Sequence, residues 1–150
     1  MDQTKVMKRR MVTAIILFSI TFVAMLIFIG LYIDASRRVQ ETFRKQYSVS
    51  LEHTVEAIDA YLDGEGDHDM RYTRIISEMS CANSYAFLIK NFTSEQKTAN
   101  EVYSALIKFP DQMKGNLEDL RGALKNMSKD LDKGYKKADE IIESLDLKGK

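Results

Sequence analysis

Four carboxylates recur at every second position over Asp63, Glu65, Asp67 and Asp69, with His68 among them. Oxygen ligands in such a run could hold a hard divalent cation. A calcium loop counted from Asp63 needs Gly at its sixth position and Glu at its twelfth. Those positions carry His68 and Arg74, so the spacing fails. The stretch reads instead as a polar tip loop: Gly64 and Gly66 end one helix and turn the chain, and Asp67 or Asp69 caps the next.

The other residues able to do chemistry are few and scattered. His53 and His68 have no HExxH or cysteine companion, and the chain has no Gly-rich phosphate loop and no G-x-S-x-G. The single cysteine, Cys81, rules out an internal disulfide and a multi-cysteine zinc site. It reads as a small buried apolar residue, with an intermolecular disulfide as the alternative, since nothing near it in sequence would lower its pKa. Catalysis needs perturbed groups gathered in a pocket, and thin packed helices leave little room for one. No enzyme activity, cofactor or metal is expected.

Charge bears on partners. Lys and Arg total 22, as do Asp and Glu; without Lys5, Lys8, Arg9, Arg10 and Asp2, residues 34–150 hold 18 basic and 21 acidic groups, a net charge of −3. Nucleic-acid binding rests on clustered Lys and Arg, so no nucleic acid is expected.

The dominant element is Met11–Ile33, 23 residues without a charge, whose polar side chains are Thr13, Ser19, Thr21 and the Tyr32 hydroxyl. As a helix the run reaches roughly 34 Å, against a hydrocarbon core of about 30 Å. Thr and Ser can bond carbonyls one turn back at little cost, and a water-soluble helix of this length would show a polar face. A cleaved signal peptide would carry an apolar region of about 7–15 residues, so the run reads as an uncleaved signal-anchor in the lipid bilayer. Lys8, Arg9 and Arg10 abut it directly, which favours a cytoplasmic tail over residues 1–10 and an extracytoplasmic domain over 34–147.

Past the span, Phe43, Tyr47, Leu51, Val55, Ile58 and Leu62 share one helical face, with Glu52, Glu56 and Asp59 opposite. This predicts a first helix over 34–63. From Asp69 to Phe109 there is neither Gly nor Pro, which predicts a second helix, continuous or kinked, over 69–109. It carries two stripes: Tyr72, Ile75, Met79, Ala82, Ala86 and Ile89; and Cys81, Tyr85, Leu88, Phe92, Glu95, Ala99, Val102, Leu106 and Phe109. Two stripes suit a middle helix with two neighbours. Its weak point is 91–94, where Thr93 and Gln96 could form a capping box and start a new helix.

Pro110 suits the first turn of a third helix over 111–146. Met113, Leu117, Leu120, Leu124, Met127, Leu131, Gly134, Ala138, Ile141 and Leu145 follow steps of four and three throughout, the pattern of a coiled-coil seam. Gly134 is the gap, which Tyr135 covers. Asn91-Phe-Thr93 and Asn126-Met-Ser128 match glycosylation acceptors, but Phe92 and Met127 lie on the packed stripes, so both read as chance.

The expected fold is all-α: an N-terminal single transmembrane helix, then an antiparallel helical bundle or coiled coil of three, or four, long helices. In outline alone it is similar to single-pass divisome coiled-coil proteins and to the extracytoplasmic helical bundles of bacterial receptors. The expected function is a structural or protein-interaction module at the membrane surface, associating with itself or a helical partner through Met113, Leu117, Leu120, Leu124, Met127, Leu131, Ala138, Ile141 and Leu145. The alternative is a ligand-binding sensor accessory with a pocket at the small residues Ser80–Ser84.

Overall fold

The computed structural model describes residues 3–64 and 66–145. Among them are six helices and no strand: α1 (Gln3–Leu62), α2 (His68–Ala86), α3 (Thr93–Lys108), α4 (Pro110–Gly115), α5 (Leu117–Lys129) and α6 (Lys136–Ser144). The chain divides into two compact units, Met1–Val39 and Gln40–Lys150.

In the first unit, α1 is long and apolar enough to cross a membrane, and none of its apolar window is buried. Thr13, Ser19 and Thr21 donate to the carbonyls of Arg9, Ile15 and Leu17, each at 2.9 Å. These bonds remove the hydroxyls' need for water, so the segment presents apolar surface on every side.

In the second unit one apolar core gathers Tyr47, Leu51, Val55 and Ile58 of α1 with the buried faces of α2, α3, α5 and α6. The tip loop has the expected chemistry where it is described. Asp67 caps α2, its Oδ1 accepting from the Met70 amide at 3.0 Å. Gly66 sits at φ 112°, a conformation that costs glycine little. Glu65 and the tail beyond Leu145 lie outside the described residues.

The second helix expected over 69–109 is two helices. Asn91 sits at φ 57°, a left-handed conformation that asparagine tolerates and that stops a right-handed helix. The last bonds of α2 tighten to three residues, from the Leu88 amide to Tyr85 O at 2.9 Å and from Ile89 to Ala86 O at 3.4 Å. The chain then reverses, so that Tyr72 on α2 donates to the Leu106 carbonyl on α3 at 2.9 Å while Asn83 meets Asn100. No capping box forms: α3 starts without a side-chain cap, and Gln96 Nε2 reaches back to Ile89 O at 3.1 Å.

The third helix expected over 111–146 is also broken, at Asn116 and over 130–135. Gly134 is a turn rather than a gap in a seam. A Cβ there would overlap the Asn126 carbonyl, so the residue without one lets the chain fold back against the end of α5. Lys137 of α6 consequently lies 3.2 Å from Asp119 of α5.

Candidate functional site

The most polar constellation within the core is built around Tyr47 of α1. Phe92, at the start of α3, packs edge-on against Tyr47 at 5.5 Å between ring centroids and against Tyr135 at 5.9 Å. The Tyr135 hydroxyl donates to the Tyr47 hydroxyl at 3.2 Å. Burial raises both phenols above their ordinary range, since an anion there would lose its water; for Tyr135 the neighbouring Tyr47 adds to the effect. The rim carries Arg44, which forms a bidentate pair with Asp132 at 2.7 and 2.8 Å and lies 5.8 Å from the Phe92 centroid.

Farther along α1, Asp59 accepts from Arg121 of α5 at 2.9 Å, and that bond raises the guanidinium pKa further. Tyr72 lies under Lys114 and is pushed up to about 12, mainly by burial and then by Tyr61. Thr98 of α3 donates to Asp139 of α6 at 2.6 Å. Each of these groups has its partner inside the unit. Together they fix register between helices, and Thr98 and Asp139 also line a surface cleft.

The residues expected to form an interaction seam lie inside the chain's own core. Met113, Leu117, Leu120, Leu124, Met127, Ala138, Ile141 and Leu145 are buried, and Leu131 is half-buried against the same core. They come from α4, α5, α6 and the segments between and after them, and pack into the core shared with α1, α2 and α3. Engaging a partner with these side chains would mean opening the core.

The small-residue patch at 80–84 splits between inside and outside. Ala82 is buried, while Ser84 and Cys81 are exposed. The expectation of a buried thiol is thus corrected: Cys81 lies on the exposed side of α2, away from the buried Met79, Ala82 and Ala86. Asn83 is half-buried; its amide donates to Asn100 at 3.3 Å, while its Oδ1 is enclosed without a partner. Surface clefts in the second unit include those of about 420 Å³ beside Ala57, Gly64 and Arg71, about 260 Å³ beside Thr98 and Asp139, and about 150 Å³ beside Ala105 and Leu145. None of these is lined by residues 80–84.

Among the described residues, no three His, Cys, Asp or Glu side chains converge to hold a metal. His53 lies 3.9 Å from Glu78, and the His68 ring packs against Tyr61. No protein-family model, curated protein or solved structure matches the chain.

Proposed function

We propose that the chain is a single-pass membrane protein with residues 1–10 in the cytoplasm. Its second unit is an antiparallel helical bundle held on the other side of the membrane, working there as a structural or interaction module. One observation carries the reading: residues 11–33 form unbroken helix with apolar surface exposed along its length, and the hydroxyls of Thr13, Ser19 and Thr21 are bonded within it. Exposed to water, such a surface would cost about 25 cal/mol per Å², whereas in lipid the cost vanishes and the backbone needs no other partner. The cluster Lys8-Arg9-Arg10 at its start favours retention of that end in the cytoplasm.

The buried 113–145 stripe moves the expected contact surface to the outside of the bundle. There, Cys81 and Leu88 of the second stripe and the exposed side chains of α2 remain open. Exposed Cys81 offers the test. In intact cells a membrane-impermeant maleimide should label Cys81 of the full chain without permeabilisation, and alkaline carbonate should leave the chain in the membrane. Labelling only after permeabilisation would reverse the orientation, and release by carbonate would remove the anchor.

A further inference from the structure

The α2–α3 turn divides its apolar residues in an unusual way. Ile89 and Phe92 are 3% and 2% exposed, yet Phe87 and Leu88, two large apolar side chains in sequence, are 57% and 48% exposed. Their position is fixed from both sides by one residue of α1: Gln40 donates through Nε2 to the Leu88 carbonyl at 3.2 Å and accepts at Oε1 from the Lys90 amide at 2.7 Å. A turn clamped through its backbone in this way cannot roll Phe87 and Leu88 inward without giving up both bonds.

Gln40 follows Ile33, the last residue of the apolar run, by seven residues. Seven residues in any conformation reach at most about 25 Å. The turn clamped to Gln40 is therefore tethered near the edge of the bilayer, whose headgroup layer adds several ångströms beyond the hydrocarbon. The chain between span and turn is basic on balance: Arg37, Arg38 and Lys45 are exposed with Asp34 and Glu41 against them, Arg38 pairing with Asp34 at 2.8 Å, and exposed Lys90 lies in the turn itself. Exposed apolar side chains flanked by Lys and Arg suit the headgroup layer of an anionic leaflet, where apolar groups leave water and cations meet lipid phosphate.

We propose that Phe87 and Leu88 seat the α2–α3 turn in the headgroup layer of the bilayer that carries the chain's own span. This rests on the membrane reading above and adds a second contact with lipid. Two insertion points on one unit would limit how far it can swing about the chain leaving the membrane, and so fix which of its faces a partner meets.

The test uses the full chain carrying Cys81→Ser and one new cysteine at a time, Phe87→Cys, Leu88→Cys or Met70→Cys, each labelled with a polarity-sensitive fluorophore. Met70 is 72% exposed at the other end of α2 and serves as the control. The host is a vesicle of phosphatidylcholine and phosphatidylglycerol, with nitroxide-labelled lipid as the quencher. Labels at 87 and 88 should emit to the blue and lose most of their intensity to the quencher, while the label at 70 loses little. Equal quenching at all three positions overturns the proposal, as does a blue shift at 87 and 88 without quenching, which would mean cover by a second copy. A carbonate wash separates the two levels: a chain retained on the vesicle with 87 and 88 unquenched sinks this contact alone, and a chain washed off sinks the membrane reading with it.

Discussion

The Tyr135 hydroxyl donates to the Tyr47 hydroxyl at 3.2 Å inside the core, joining residues 88 positions apart in sequence. A buried polar group is costly only when left alone, so this pair should behave as a unit. Tyr135→Phe or Tyr47→Phe singly strands one hydroxyl and should cost about 1–3 kcal/mol, while the double Phe variant should lie closer to the parent than the two losses added. Melting of the full chain in detergent micelles, followed by circular dichroism, measures the cycle. Simple additivity would show that the hydroxyls find water.

The same burial sets a response to alkali. A tyrosine is uncharged while protonated, and Tyr47, Tyr135 and Tyr72 all hold their protons above the ordinary value of 10, Tyr72 up to about 12. Their stabilisation is fully present below about pH 10. As the pH rises above that, the unfolded chain loses protons that the folded chain retains, and stability falls by up to about 1.4 kcal/mol per pH unit for each such tyrosine. The core should open cooperatively in alkali, the part of the tyrosinate absorbance that the double Phe variant lacks rising in step, and the double Phe variant should open at higher pH. That difference absorbance appearing well before loss of helix would contradict this.

Gly115 and Gly134 should respond oppositely to alanine. At Gly115 a Cβ meets nothing within 4 Å and φ is not positive, so Gly115→Ala should stabilise by about 0.5–1 kcal/mol. At Gly134 a Cβ overlaps the Asn126 carbonyl, so Gly134→Ala should destabilise by about 1–3 kcal/mol. Paired thermal melts decide the matter through the sign of the difference.

Leu124 is fully buried. Leu124→Ala should therefore cost about 2–5 kcal/mol through a cavity in the chain's own core, leaving the association state unchanged. Sedimentation in density-matched detergent, alongside a melt, tests both halves. A lost dimer with an unaltered melting temperature would return the 113–145 stripe to the role of an intermolecular seam.

Helix content and the inward residues were readable from spacing. Tyr72, Ile75, Met79, Ala82 and Ala86 are buried as one face of α2, and Ile89 is buried in the turn after it. The second stripe changes character at the turn: Cys81 and Leu88 are exposed before it, and Phe92, Ala99, Val102 and Leu106 are buried after it. Two stripes on one stretch thus marked two helices, each with its own inner face, rather than one helix with two neighbours. Periodicity reports which residues share a face but not whether the axis continues, because a tight turn can preserve the phase. The reversals depend on Asn91 at positive φ and on the close approach at Gly134, and neither interrupts a 3-4 count. The Tyr47–Tyr135 pair and the Gln40 clamp were not legible in advance, since each joins residues whose proximity exists only after those reversals.

The pairing of Tyr47 with Tyr135, and the burial of Leu145 in the same core, set an order of events during synthesis. The apolar face of α1 beyond Gln40 is made early, yet part of its cover comes from the last helix of the described chain. Until the ribosome has delivered that helix, the nascent polypeptide carries an uncovered greasy stripe, the condition under which chaperones engage and aggregation competes with folding. Truncation before Tyr135 should accordingly yield a product cleared by proteases rather than a smaller working domain.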